Sequence, residues 1–333
     1  MPQPLPPRPI DADLVEKMQQ TVDQRAAIES VVRGITGQGL RNVYFVGAGG
    51  SIICSYPAHY ILQRRAEIPS FQLQSDELNC SAPRLMGPGS LVVLASYTGT
   101  TKETVEAAKT AKSTGAKVIA VAREGSPLAE AVDVAFKGKS DLFEVLVAYA
   151  VLAATGSGID DGDAITAALA ALPKATLSAV EESDDRLRGI AAAIKDEPII
   201  YTLGSGPSYG WAYGLAMCYL QEMQWKHAAG FNAGEFFQGA FEMVTEDTAV
   251  LLFLGEDATR PMAERAQRFL DTYTRKAHYI DVRDLSLPGI PEELRGDVST
   301  LVIAELAGRL AQHFEAVRGH HLDQRRYMFR VQY

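Results

Sequence analysis

One short unit occurs twice in this chain. VYFVGAGGS at residues 43–51 aligns with IYTLGSGPS at 200–208, an offset of 204 − 47 = 157 residues. Within it Tyr44/Tyr201, Gly47/Gly204, Gly49/Gly206 and Ser51/Ser208 match. Each copy reads as an apolar strand, a glycine turn and the start of a helix, which constrains the chain to a duplicated α/β architecture. The first copy belongs to a series of strand-like apolar runs at 43–46, 71–73, 92–95, 117–122 and 132–136. The second is accompanied by runs at 198–203, 250–254 and 277–282 and by a helical pattern over 259–273. Strands alternating with helices predict, in each half, a parallel sheet with helices on both faces. Helical patterns also fill 142–195, interrupted at 156–162 and at Leu172-Pro173, and return over 299–317. The expected organisation is an N-terminal arm (1–20), a first α/β domain (21–160), a helical connector (161–195), a second α/β domain (196–318) and a C-terminal tail (319–333). Residues 1–10 hold five prolines, so the arm is expected to be extended and suited to lying over a neighbour.

The densest chemistry in the first half is LVVLASYTGTTKET at 91–104. Its apolar run reads as a buried parallel strand, and Ser96, Thr98, Gly99, Thr100 and Thr101 then fall where the next helix begins. A helix start exposes unpaired N–H groups and about half a positive charge, so it attracts an anion. Hydroxyls around Gly99 add donors without bulk, which suits a phosphate. The plainer alternative is an ordinary Ser/Thr N-cap, which needs only one hydroxyl. By the 157-residue offset the counterpart of Ser96 is Phe253, in FLGEDATR, where Glu256 and Asp257 would repel a phosphate. One phosphate per chain is therefore expected, in the first half.

Composition narrows the partners. A net charge of −9 argues against a nucleic-acid surface, so any anion must be held by local donors. No apolar run is long enough for a membrane span, and the N-terminus lacks the apolar core of a secretory signal. The three cysteines, Cys54, Cys80 and Cys218, show no paired spacing and read as buried small apolar residues of a reducing, cytoplasmic compartment. The six histidines show no ligand spacing with Cys, Asp or Glu, so no metal and no cofactor is expected. The turn at 47–51 does not complete G-x-G-x-x-G, which disfavours a nicotinamide cofactor although Asp76 and Glu77 lie nearby. Backbone N–H groups at 48–51, including Gly49 and Gly50, and the Ser51 hydroxyl are suited instead to sugar hydroxyls beside a phosphate.

Glu222, in YLQEMQWKH, falls at the end of the helical stretch that starts near Pro207. The helix dipole and apolar surroundings would both raise its pKa and make it a competent base near neutrality, whereas a solvated glutamate is the plainer reading. His227, alone beside an apolar run, reads as a satisfied core histidine. Gly234-Glu235 can begin a helix, with Phe236 and Phe237 buried. For the tail, Arg325, Arg326 and Arg330 among aromatics leave two readings open: docking on a partner, or closing a substrate site.

GAGGS at 47–51, SYTGTTKET at 96–104, GSGPSYG at 204–210, QEMQWKH at 221–227, GEFFQGAFE at 234–242 and the ending RRYMFRVQY together resemble the sugar isomerase (SIS) domain proteins. The likeness is to the tandem-domain branch containing the isomerase half of glucosamine-6-phosphate synthase and the fructosamine-6-phosphate deglycases. GEFF and LLFLGEDATRP point to the deglycases. The resemblance implies two tandem SIS domains in a homodimer with shared active sites. It implies phosphate binding by Ser96, Thr98 and Thr101 with Ser51, and a base at Glu222 that moves a proton between C1 and C2 of an open-chain sugar. Sixteen residues on (238 − 222 = 16) the family pattern has a histidine that serves the adjacent subunit's site; here it is Gln238, with Ala240 in place of a proline. Glutamine cannot transfer a proton near neutral pH; His227, a water or the substrate's own amine is left for that step. The expected activity is deglycation of a 6-phosphorylated fructosyl amino acid. The alternatives are aldose–ketose isomerisation of a phosphorylated or sulfonated sugar, and non-catalytic sugar-phosphate sensing.

Overall fold

The computed structural model describes residues 3–157 and 162–332, and the chain divides into two compact units. One is Asp13–Pro173; the other runs from Lys174 onward and includes the residues up to Ala12.

The first unit holds β1 (Asn42–Gly47), β2 (Ser70–Gln74), β3 (Ser90–Ser96), β4 (Lys117–Ala122) and β5 (Val134–Phe136), in the order β2-β1-β3-β4-β5 with every pairing parallel. β1 and β3 are buried at every residue, which is why they read as unbroken apolar runs and show no alternation. On one face, Tyr44, Val46, Val92, Leu94, Val118 and Ala120 pack with Ala107, Ala108 and Ala111 of the helix Lys102–Ser113. Alanines at that spacing let the helix approach the sheet closely. The helix Ser140–Thr155 is buried from Asp141 through Leu152 and contacts the helices Arg25–Thr36 and Tyr56–Arg65. A helix apolar all round occupies an interior position. It carries Glu144, wholly buried with neither carboxyl oxygen hydrogen-bonded, and burial followed by the nearby Asp141 pushes its pKa well up.

The second unit repeats the pattern with one strand fewer: β6 (Ile199–Gly204), β7 (His227–Asn232), β8 (Ala249–Leu254) and β9 (Ala277–Asp281), ordered β7-β6-β8-β9 and parallel throughout. The duplication therefore extends beyond the glycine turns to the sheet topology. Register refines the sequence alignment. Val46 pairs with Leu94, and its counterpart Leu203 pairs with Leu252, so the offset at the third strand is 252 − 94 = 158. The counterpart of Ser96 is Leu254, not Phe253.

Several expectations change. β7 was not foreseen, because AAGFN has too few large apolar residues to read as a strand. Gly230 is needed there, since a Cβ would lie 2.7 Å from the Tyr213 Cα. The break expected at Leu172-Pro173 is absent: Gly162–Ile194 is one helix with Pro173 inside it. Buried Leu169, Leu172, Ala175 and Ala179 flank the proline and hold the helix through the lost hydrogen bond. Of the interruption expected at 156–162, Gly156 is a left-handed cap, and residues 158–161 lie outside the described residues. The last helix is longer than expected, Glu292–Arg318. The extended arm lies along this helix of its own chain: Leu5 N–H donates to the Ala316 carbonyl (2.8 Å) and Arg8 grips Glu315. The cysteines form no disulfide and are not fully buried: Cys80 is exposed, and Cys54 and Cys218 are half-buried. Among the described residues no helix is long and apolar enough to cross a membrane, and no three His, Cys, Asp or Glu side chains converge as metal ligands would.

Candidate active site

Two groups of residues carry chemistry, one in each unit. In the first unit β3 ends on Ser96, which is buried, and the chain turns sharply through Gly99. Gly99 has φ +69°, and a Cβ there would lie 2.0 Å from the Ser126 Oγ, so only glycine fits. The Gly99 N–H donates to the Ser96 Oγ (3.1 Å), which lies 3.3 Å from the Thr101 Oγ1. Thr98 and Thr100 pair through their hydroxyls at 2.8 Å, and the Thr100 N–H donates to the Thr98 Oγ1. Thr101 occupies the N-cap of the helix Lys102–Ser113, yet its side chain makes no cap hydrogen bond. An ordinary cap would use that hydroxyl on its own helix. Here it faces Ser96, so this hydroxyl does not cap the start of the helix, the end that attracts an anion. Ser51 follows β1, the strand beside β3, in the short helix Gly50–Cys54; it is half-buried, after Gly49 at φ +57°. The structure thus brings Ser96, Thr98, Gly99 and Thr101 into one turn.

The matching loop of the second unit is filled by its own side chains. The Asp257 Oδ1 accepts from the Thr259 N–H (2.8 Å) and hydroxyl (2.6 Å), and Glu256 pairs with Arg295 at 2.7 Å. The acidic residues that sequence reading set against a phosphate are thus occupied in holding the loop.

In the second unit the helix Ser208–Gly214 widens into a π-helix, Leu215–Met223, that carries Glu222 in its last turn. The Thr202 hydroxyl on β6 donates to the Ala212 carbonyl (2.6 Å), tying the start of this segment to the sheet. Such π segments concentrate at functional sites. Glu222 is partly buried, and burial raises its pKa, opposed by Arg325, whose Nη2 lies 2.8 Å from the Glu222 Oε1. Of the two causes expected, burial is the one seen to raise it. The arginine was not foreseen.

That arginine comes from the tail, which folds back on its own chain. Gln224, fully buried, donates to the His320 carbonyl (2.8 Å) and takes Arg318 on its own carbonyl and side chain. The adjacent Trp225 has φ +52°, a costly conformation for a bulky residue. It is clamped by the His320 ring edge-on at 4.5 Å and the Arg326 guanidinium at 4.2 Å. The Arg325 Nε and the His320 Nε2 are buried without hydrogen-bond partners. Arg325 and Arg326 both meet residues of their own chain. The signal in the sequence was opposite charge: QEMQW offers an acid and an aromatic face, and DQRRY offers two guanidiniums.

His227 is not a core residue; it is exposed as the first residue of β7. Gln238 is exposed in a single 3-10 turn, Glu235–Gln238, where a longer helix had been expected. Neither is bonded to Glu222. Phe236 is buried but Phe237 is only half-buried, and both join Phe241 and Phe269 in an aromatic cluster capped by Arg265, 4.5 Å from the Phe237 ring. This cluster, more than helix propensity, fixes the segment that presents Gln238.

Comparison with known proteins places the chain in a family. Residues 39–141 match the SIS domain family. The chain is 32% identical over 326 residues to the fructosamine deglycase FrlB of Bacillus subtilis, covering 95% of this chain and 99% of that protein. It is 23% identical over 330 residues to the fructoselysine 6-phosphate deglycase of Escherichia coli K12, covering 96% of each. A crystal structure from Bacillus subtilis named as a phosphosugar isomerase superposes with a TM-score of 0.87 at 31% identity, covering 95% of this chain and 99% of that one. The chain belongs to the tandem SIS-domain family, in the branch of the fructosamine deglycases.

Proposed function

We propose that this protein is a deglycase that cleaves a 6-phosphorylated fructosyl amino acid to an aldose 6-phosphate and a free amino acid. The observation that carries the reading is Glu222, a carboxylate partly withdrawn from water at the end of a π-helix. Full-length likeness to a fructosamine deglycase supports the substrate class. In this reading the hydroxyls of Ser96, Thr98 and Thr101, with Ser51 and the N–H groups beside Gly49, Gly50 and Gly99, hold the phosphate. Binding energy from the phosphate, remote from the reacting carbons, is available to orient the sugar for proton transfer.

The substrate is a ketose whose C1 carries the amine. Glu222 removes a proton from C1, and the electron pair forms the C1=C2 bond of an enaminol while the C2 carbonyl oxygen takes up a proton. Return of a proton to C2 shifts the double bond to C1=N. Water then adds at C1, the C–N bond breaks, and the amine leaves with a proton. The sum is hydrolysis. Gln238 is limited to hydrogen bonding in this scheme, and His227 is a candidate for proton transfer through water.

The reading includes a homodimer with shared sites, in a cytoplasmic setting suited to three cysteines without a disulfide. Gln238 is exposed, as a residue serving a neighbouring copy must be, and Tyr327 (68%), Phe329 (85%) and Val331 (52%) present apolar surface for such a copy to cover. The likeness to a structure named as a phosphosugar isomerase favours aldose–ketose isomerisation as the second reading.

The test is incubation with a 6-phosphofructosyl amino acid and measurement of released amino acid, with fructose 6-phosphate in parallel. Amino acid release that falls at least about a hundredfold in Glu222→Gln is the expected result. Turnover of the sugar phosphate alone selects the second reading, and unchanged release in the variant removes Glu222 as the base.

A further inference from the structure

The substrate proposed above carries a second anion, and its position is fixed by covalent geometry. The α-carboxylate carbon is three bonds from C1, at ~1.5 Å per bond, so it lies within about 4–5 Å of C1. A base that takes a proton from C1 must itself stand about 3–3.5 Å away. Substrate carboxylate and Glu222 are therefore forced close together, and two like charges in a partly buried place repel unless a cation serves both.

The cation bonded to Glu222 is Arg325, and its guanidinium is only partly used. Its Nη2 lies 2.8 Å from the Glu222 Oε1 as an ion pair, and Nη1 donates to the carbonyls of Leu322 and Gln324. The Nε, on the same edge as Nη2, is buried with no partner. A buried N–H without an acceptor is costly, so this one is kept for something. With Nη2 on Glu222, Nε is the donor left for a second carboxylate, and a planar guanidinium can serve two acceptors at once. The guanidinium is held in place from behind by the tail. Gln224 pins the His320 carbonyl, and Arg326 lies over Trp225. An arginine supplied for Glu222 alone would not leave the Nε edge empty.

We infer that Arg325 is the receptor for the α-carboxylate of the amino acid half of the substrate, and hence the residue that selects glycated amino acids over glycated simple amines. This rests on the deglycase reading. Arg325 then has two roles on one guanidinium: it favours the charged form of Glu222 against burial, and it orients the leaving amino acid so that C1 faces the base.

The experiment compares three conjugates of the 6-phosphofructosyl group: glycine, glycinamide, which keeps the size and removes the charge, and methylamine. The native enzyme is expected to favour the glycine conjugate in kcat/KM by roughly tenfold to a hundredfold, the worth of a hydrogen-bonded charge. In Arg325→Gln all three slow through the loss of support to Glu222, but the preference for glycine collapses toward unity, mainly through KM. Arg325→Lys, a point charge without the fork, retains part of it. A native enzyme indifferent to the three overturns the inference without needing any variant to fold, and so does a preference that survives Arg325→Gln. Failure to release amine from all three conjugates instead overturns the deglycase reading itself.

Discussion

Glu222 is subject to two opposed influences of known sign. Burial disfavours its charged form and is the larger, and Arg325 favours that form. A base must be ionised to act, so kcat/KM for the fructosyl substrate falls as pH drops through the Glu222 pKa, which lies above the ordinary carboxylate value. Arg325→Gln removes the influence that lowers the pKa and leaves the one that raises it, so the acid limb of the profile must move to higher pH. A pH series on both proteins checks this; a limb that stays put or moves lower means the arginine does not act on the base. The same carboxylate pushes the half-buried Cys218 thiol, already raised by burial, up to about 12, so that group stays protonated beside it. At this scale the sequence exposed the acid but not its partner. Glu222 and Arg325 are 103 residues apart (325 − 222), and no local spacing rule joins an acid in a helix to an arginine in an irregular tail.

At the scale of elements, the turn after β3 shows what a glycine can decide. Gly99→Ala places a methyl group into the Ser126 side chain at a positive φ, and strain of this kind costs on the order of 1–3 kcal/mol. Because the Gly99 N–H also holds the Ser96 hydroxyl, the substitution displaces the groups proposed to bind phosphate. The expected outcome is a KM for the phosphorylated substrate raised about tenfold or more with the fold retained, read by steady-state kinetics beside circular dichroism. An unchanged KM separates the turn from phosphate binding. The strands β1, β3, β4, β6 and β8 were legible because long buried apolar runs leave little choice. β7 and the unbroken helix through Pro173 were not, since neighbours decided them: a helix packed at Gly230 in the first case, buried leucines and alanines in the second.

At the scale of the whole molecule, the two ends of the chain meet the same helix. Burial works against the charge on Glu315, but hydrogen bonds from Arg8 and from the Leu322 N–H outweigh it and hold its pKa below the usual value. The arm thereby joins the segment that carries Arg325. The exposed Gln238 and the apolar tip of the tail lead to the homodimer proposed above. Native mass spectrometry of the full chain is expected to read twice 36.1 kDa, and a single-chain mass at micromolar concentration would remove the shared-site part of the reading.

What the sequence by itself determined is the duplicated α/β plan and the residues with the right chemistry. Both depend on local signals: a strand running into a glycine turn, hydroxyls gathered at a helix start, an acid at a helix end. Only the tertiary structure decided that the second copy of the loop is closed by Asp257 and Glu256, that the arm lies on its own chain, and that a tail arginine reaches Glu222 with half its fork to spare. Those are pairings between distant residues, chosen when burial withdraws polar groups from water and each must find whichever partner the fold brings to it.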